Sequence, residues 1–300
     1  MTPRWAYFNG DWIDDRRLAI PHSDTGFMLG VTVTERLRTF RGEPFRVAEH
    51  LRRMRRSLEI IGLDAAVIVD EVQDAIDGLL QRNGSSIAVG DDWAVVAFAT
   101  PGGPTNTPAG RPTVGVHGMP LGFAWADQFD AGVSVYVSDY RHTPGNCWPP
   151  ELKCRSRMHY YLADRQAQSH EPGARAILLD QEGCVAEAST ANVLAYREGE
   201  GVVSPHLDKV LPGVSVAAVR DLCGELGIPF IERDLTPEEL RAADEVWLSS
   251  TSICLLPVVR CDAQPIGGGA PGPVYRRVLA AWSRLVSIDI AAQARSARAV

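Results

Sequence analysis

Pro149-Pro150-Glu151-Leu152-Lys153-Cys154-Arg155-Ser156-Arg157 is the stretch on which the reading of this chain turns. The sequence holds 30 basic residues, and only Lys153 and Lys209 among them are lysines. Arginine keeps its charge at any working pH, whereas a lysine amine can lose its proton and attack a carbonyl. A GC-rich genome accounts for the scarcity of lysine. It does not account for Lys153 following a proline pair, in a loop that a preceding strand delivers. Lys209 lies in a second loop, before Leu211-Pro212-Gly213, and reads as a solvated charge.

Working outward, 300 residues with 45% apolar and 22% charged composition fit a water-soluble protein of two domains. A net charge of −7 argues against a nucleic-acid partner. No apolar run approaches the ~20 residues that span a bilayer, and residues 1–5 lack a signal-peptide core, so no membrane partner is expected. The six cysteines are scattered without a C-x-x-C pair, which points to free thiols and a cytoplasmic location. His142, Cys147, Cys154 and His159 match no metal-ligand spacing, and no metal is expected.

The pattern along the chain is mixed α and β without repeats. A strand pair is expected over residues 7–20, around the turn Asn9-Gly10-Asp11. A partly alternating segment covers residues 31–40. Leu51, Met54, Leu58 and Ile61 recur at helical spacing up to Gly62, with Arg53 beside that stripe in line with His50 and Ser57. A second helix covers residues 69–81, and strands cover 93–100 and 113–117. Residues 118–128 read as the linker between an N-terminal domain, 1–117, and a C-terminal domain, 129–300, that carries Lys153. The second half opens on a strand at 133–140 and a helix at 155–168, followed by hairpins over 174–187 and 192–204. A helix opens at Pro212-Gly213-Val214-Ser215, and Thr236-Pro237-Glu238-Glu239 combines an N-cap, an N1 proline and a capping-box acid. A strand over 245–249 leads into Ser250-Thr251, a last helix covers 273–286, and the alanine-rich tail reads as frayed.

Four of these features share one chemistry. The helix start at Val214-Ser215 exposes backbone amides to an anion, and Ser250 and Thr251 add hydroxyls just beyond a strand end. Arg53 is an inward cation and Lys153 a lone amine. Anion binders together with a reactive amine suggest a phosphorylated aldehyde cofactor, pyridoxal 5'-phosphate.

The chain also resembles the class IV aminotransferases, the fold-type IV pyridoxal-phosphate enzymes, over residues 7–282. The similarity is carried by FNG at 8–10, HLRRM at 50–54, the lysine segment, LLDQEGCVAEASTANV at 178–193 and VLPGVS at 210–215. It continues through ELGIPFIERDL at 225–235, ADEVWLSSTS at 243–252, PVV at 257–259 and GPVY at 272–275. The resemblance implies a two-domain α/β (α+β) fold, like that of D-amino-acid aminotransferase, and a homodimer. It makes Lys153 the Schiff-base lysine and Glu187 the partner of the pyridine nitrogen. Asn192 completes E-x-x-x-x-N, and Arg53, Val214, Ser215 and Thr251 become the phosphate contacts, beside the Ser250 hydroxyl read above as a cofactor ligand. A carboxylate at the ring nitrogen raises its pKa and keeps it protonated, and the protonated ring takes up a carbanion's electrons.

Departures from the family pattern concern the substrate. The common G-D-G-V-[FY]-E run is here Gly30-Val31-Thr32-Val33-Thr34-Glu35, so Thr34 replaces the aromatic that lines the pocket. The loop Thr100-Pro101-Gly102-Gly103-Pro104 lacks the arginine of carboxylate-binding members. Arg38, Arg141 and Arg157 are the remaining candidates to hold a substrate carboxylate. The expected function is amino transfer between an amino acid or amine and a 2-oxo acid, branched-chain-aminotransferase-like. The alternatives are an aminodeoxychorismate-lyase-like elimination releasing pyruvate, and a non-catalytic cofactor-binding protein.

Overall fold

A computed structural model describes residues 4–84, 92–104 and 110–298. The chain divides into two compact units, Met1–Leu121 with Glu151–Ser156, and Gly122–Pro150 with Arg157–Val300.

The first unit contains β1 (Trp5–Phe8), β2 (Asp11–Asp14), α1 (Thr25–Leu29), β3 (Val33–Phe40) and β4 (Glu43–Pro44). It continues through α2 (Val47–Ile60), α3 (Ala65–Asn83), β5 (Trp93–Thr100) and β6 (Thr113–Pro120). Its sheet has the order β2-β1-β6-β5-β3-β4. Alternation along the strands decides which residues meet the helices. Val33, Leu37, Val95, Ala97, Ala99, Val114 and Val116 form one core with Leu51, Met54 and Leu58 of α2 and Ile68, Val72, Ile76 and Leu79 of α3. Residues 118–120, expected as linker, complete β6 instead, with Gly118 opposite Val95 and Pro120 opposite Trp93. Gly118 obscures the pattern because the Trp93 ring lies 2.4 Å from where its Cβ would stand. The loop expected after β5 lies partly outside the described residues.

The lysine segment also departs from expectation, since Glu151–Ser156 belongs to the first unit and not to the C-terminal domain. Leu152 packs against the first core, and Arg56 Nε lies 2.7 Å from a Glu151 oxygen. The backbone of Arg155 donates to the Thr32 carbonyl at 3.0 Å, and Ser156 Oγ donates to the Gly30 carbonyl at 2.8 Å. Those bonds tie residues 155–156 to the segment before β3, and the helix expected from 155 starts only at Met158.

The second unit contains α4 (Gln128–Ala131), β7 (Val133–Arg141), α5 (Met158–His170), β8 (Arg175–Leu179), β9 (Val185–Ala188) and β10 (Ala191–Arg197). It adds β11 (Gly201–Ser204), α6 (Val214–Glu225), β12 (Phe230–Glu232), α7 (Pro237–Arg241), β13 (Glu245–Ser250) and β14 (Cys254–Cys261). It ends with β15 (Gln264–Pro265), α8 (Pro273–Leu285) and α9 (Ile290–Arg298). The strand order is β12-β11-β10-β13-β14-β7-β8-β9, and β9 pairs back onto β10, closing the sheet on itself. Glu245 anchors α8 here, its carboxylate accepting from the amides of Val274 and Tyr275 at 2.8 and 2.7 Å. The tail expected to fray is helical, because Ile290 and Ala294 are fully buried and Asp289 Oδ1 accepts from the Ala292 amide at 2.9 Å.

Candidate active site

In the first unit the lysine segment runs antiparallel to the start of β3, with Cys154 bridged to Val33. The backbone of Lys153 is held on both sides. Its amide donates to Ser57 Oγ at 3.1 Å, and its carbonyl accepts from the Thr34 amide at 3.0 Å. Ser57 lies one helical turn beyond Arg53 and two beyond His50, so one stripe of α2 presents all three residues.

The other two residues of that stripe bind Glu35, whose role the sequence reading missed. Glu35 is fully buried. Arg53 reaches it as a fork, Nε to Oε1 and Nη2 to Oε2 at 2.8 Å each, while His50 Nδ1 lies 2.8 Å from Oε2. Burial alone would raise the Glu35 pKa, but the Arg53 charge and the bonds from Arg53 and His50 hold it below the usual carboxylate range. Burial pushes the His50 pKa down against the pull of Glu35, and its buried Nε2 has no hydrogen-bond partner among the described residues. The available signal was the alternation of β3, which turns Glu35 towards α2 while Thr34 and Arg36 face the other way.

In the second unit strand register gathers three elements. Glu187 of β9 lies opposite Asn192 of β10, which in turn lies opposite Ser249 of β13. Glu187 is only 6% exposed. Both of its hydrogen bonds fall on Oε1, where Tyr160 OH donates at 2.5 Å and His142 Nε2 lies at 2.9 Å. Among the described residues nothing bonds Oε2. His142 is anchored by its backbone, donating to Leu179 and accepting from Gln181 Nε2 at 2.8 Å each. Sequence spacing weighed His142 and His159 only as metal ligands and did not single out Tyr160. Their role becomes visible only when β7 and α5 are folded around β9. His159 stands beside the Tyr160 ring, with its pKa pushed down to about 4 by burial, then by the charges of His142 and Arg157.

Asn192 acts on the neighbouring loop. Its Nδ2 donates to the Leu211 carbonyl at 2.9 Å, and its Oδ1 lies 2.2 Å from where a Cβ at Gly213 would stand. Only glycine fits there. Gly213 is the N-cap of α6, with no side-chain hydrogen bond to the helix, so the amides of Val214 and Ser215 open a helix without a side-chain cap. Ser250 ends β13, and Thr251 follows it in the turn to β14.

The candidate substrate residues fare differently. Arg38 is 1% exposed, with Nη2 3.8 Å from Asp92 and its guanidinium 4.0 Å above the Phe40 ring, so it is a buried, paired cation within the first unit and not an open substrate contact. Arg141 is exposed at the end of β7, and Arg157 stacks on Tyr160 with 4.7 Å to the ring centroid. Thr34 is buried, and its hydroxyl donates to the Ala97 carbonyl at 3.0 Å, so it offers no free donor. The second lysine is accounted for as well. Lys209 Nζ lies 2.8 Å from Asp234, 3.0 Å from Glu182 and 3.8 Å from Asp180. Hydrogen bonds to Asp234 and Glu182 raise its pKa and keep it protonated. Among the described residues the group with metal-ligand spacing is Asp180, Cys184 and Asp234, and it already holds this ammonium.

Comparison with known proteins places these features in a lineage. The sequence profile of the family "Amino-transferase class IV" matches residues 32–261. A D-alanine aminotransferase of Staphylococcus haemolyticus is 27% identical over 286 residues, covering 94% of this chain and 97% of its own length. A branched-chain-amino-acid aminotransferase of Salmonella typhimurium is 28% identical over 288 residues, 93% of this chain and 91% of its own. Among solved structures, a T.th. branched-chain amino acid aminotransferase with pyridoxamine 5'-phosphate superposes with a TM-score of 0.83 at 24% identity, over 96% of this chain and 95% of that one.

Proposed function

The chain belongs to the class IV aminotransferases, and from that premise we propose that Lys153, Glu187 and Arg53 carry its chemistry. It is a pyridoxal-phosphate-dependent transaminase, moving an amino group between an amino acid and a 2-oxo acid. The relatives it matches are aminotransferases, which favours transamination over the pyruvate-releasing lyase reaction.

The residues fit the cofactor. A buried carboxylate with one oxygen tied twice and the other left without a bond suits a protonated ring nitrogen. A helix start with no side-chain cap, held by Asn192 and shaped by Gly213, suits a phosphate. Bound pyridoxal phosphate supplies a protonated aromatic ring that takes up the electron pair released at the substrate's α-carbon. The chain does the rest. Glu187 would keep a proton on the ring nitrogen, its carboxylate fixed through Oε1 by Tyr160 and His142. Lys153 Nζ takes the proton from the α-carbon and returns it, its backbone steadied by Ser57 and Thr34. In the second unit the amides of Val214 and Ser215 and the hydroxyls of Ser250 and Thr251 would hold the phosphate, and the family resemblance adds Arg53 of the first unit, whose Nε and Nη2 also bond Glu35.

The observation that carries this reading is the one-sided bonding of Glu187. Glu187→Gln is expected to keep the cofactor and slow proton abstraction by about 10²-fold, because a neutral amide does not hold the ring nitrogen protonated. Unchanged single-turnover rates would remove Glu187 from the role. The overall activity is tested with a panel of L-amino acids, D-amino acids and amines. A cofactor absorption band that bleaches with the donor and returns with a 2-oxo acid is transamination. Pyruvate released without the band's loss is the lyase.

The family reading includes a homodimer, and the scattered cysteines suggested a reducing cytoplasm. Among the described residues the six cysteines form no disulfide, and no helix is long and apolar enough to cross a membrane. Phe27, Met28 and Leu29, three consecutive residues of α1, are 73%, 66% and 72% exposed, which suits a face covered by a second copy. Leu29→Asp combined with Phe27→Asp is expected to turn a sedimenting dimer into a monomer. A variant that sediments like the wild type would locate the contact elsewhere.

A further inference from the structure

Three glutamates are buried among the described residues, and they use their oxygens differently. Glu35 takes the Arg53 fork on both oxygens. Glu245 accepts the Val274 amide on Oε1, and the Tyr275 amide and Trp247 Nε1 on Oε2. Both carboxylates are thus bonded on each oxygen, as a buried group that serves only the fold should be. Glu187 departs from that pattern, with both of its bonds on Oε1. The departure is the work of Tyr160 and His142.

All three residues belong to the second unit, and each is held in place. Glu187 is paired with Leu178 of β8 on one side and with Asn192 of β10 on the other. Tyr160 lies in the first turn of α5, its ring centroid 4.0 Å from that of His159 and 4.7 Å from the Arg157 guanidinium. The backbone of His142 bonds Leu179 and Gln181. The Tyr160 hydroxyl has one proton and donates it to Oε1. His142 Nε2 lies 2.9 Å from Oε1 and 3.1 Å from the Tyr160 oxygen. Beside an ionised Glu187 that nitrogen faces acceptors only, so it carries a proton. Oε1 then receives two hydrogen bonds.

A proton shared between a carboxylate and a pyridine nitrogen has two resting places. On nitrogen it leaves an ionic pair, and on oxygen a neutral one. Exclusion of water favours the neutral pair, and donors aimed at the carboxylate favour the ionic one. At 6% exposure Glu187 has little help from water, so the donors decide. We propose that Tyr160 and His142 are positioning residues that keep the shared proton on the ring nitrogen of the cofactor and off Glu187, by bringing two hydrogen bonds to one oxygen of that carboxylate. The proposal rests on the reading of Glu187 as the partner of the ring nitrogen.

The test reads the proton directly, by NMR of the holoenzyme loaded with pyridoxal phosphate isotopically labelled at the ring nitrogen, at neutral pH. Protonated and neutral pyridine nitrogens resonate far apart. The wild type should give the protonated position and Glu187→Gln the neutral one. Tyr160→Phe keeps the ring beside His159 and Arg157 and removes the hydroxyl, while His142→Leu removes the Nε2 donor. Each should lower the ratio of protonated to neutral nitrogen by about tenfold, the scale of one hydrogen bond to a charged group. The double variant should lower it by about a hundredfold and bring the resonance close to that of Glu187→Gln. His142→Gln, whose amide N–H can replace the imidazole donor, should keep the wild-type position, which separates loss of the donor from damage to the fold. A resonance that moves in Glu187→Gln but stays in place in Tyr160→Phe, His142→Leu and the double variant would overturn the roles of Tyr160 and His142 and leave Glu187 as the nitrogen's partner. A resonance that ignores Glu187→Gln would overturn that partnership itself.

Discussion

Lys153→Ala is expected to lower amino transfer by about 10⁴-fold, the upper range for loss of a positioned acid–base group. The companion result is chemical. Borohydride reduction of the wild type should fix the cofactor to one tryptic peptide, the one bearing Lys153. The sequence has just one other lysine, and its ammonium is held by Asp234 at 2.8 Å and Glu182 at 3.0 Å. Those bonds raise the Lys209 pKa above its ordinary value, and a protonated amine does not attack a carbonyl. Lys209→Arg should accordingly leave both the adduct and the rate unchanged. An adduct mapped to Lys209, or full activity in Lys153→Ala, would refute the assignment of the amine.

Glu35→Gln should produce the largest loss of stability, about 3–5 kcal/mol, or a drop of about 10 °C in Tm. The substitution takes away the charge that Arg53 and His50 both face inside the first core, and it breaks the fork on a guanidinium that is only 9% exposed. The pH dependence follows from the direction of the shift. The folded pKa of Glu35 lies below its unfolded value of about 4.5, so the unfolded chain takes up the proton first. Its contribution is complete above that pH and is lost as pH falls through the acid range. The gap in stability between wild type and Glu35→Gln should therefore narrow on acidification, and equilibrium denaturation from pH 7 to pH 3 would measure it. His159 adds a second acid loss. Its folded pKa of about 4 lies below the unfolded 6.5, so stability falls as pH drops through that interval in wild type and variant alike. A gap that stays constant over this range would mean that Glu35 is not ionised in the folded protein.

The two expectations concern different consequences of one helix stripe. His50, Arg53 and Ser57 recur at helical spacing on α2, and the line they form was legible before any coordinates. Its purpose was not, because Glu35 lies 15 and 18 residues from its two partners and Lys153 lies 96 residues from Ser57. Local periodicity states which residues share a face but not which distant face they meet. Arg38 shows the converse. An arginine on a strand suggests an open cation, and the burial of Arg38 beside Asp92 and Phe40 came only from closing β3 against the segment before β5.

The sequence alone determined the alternation of β3, the helices α2 and α3, the turn glycines and the chemical singularity of Lys153, because each depends on residues within a few positions of one another. It also carried the ordered motifs that tie the chain to its family. Only the tertiary structure decided that the lysine segment joins the first unit, and that Tyr160 and His142 share one oxygen of Glu187. Those facts depend on register and packing between elements far apart in the chain, which hydrogen-bond pairing and core burial fix and no local pattern records.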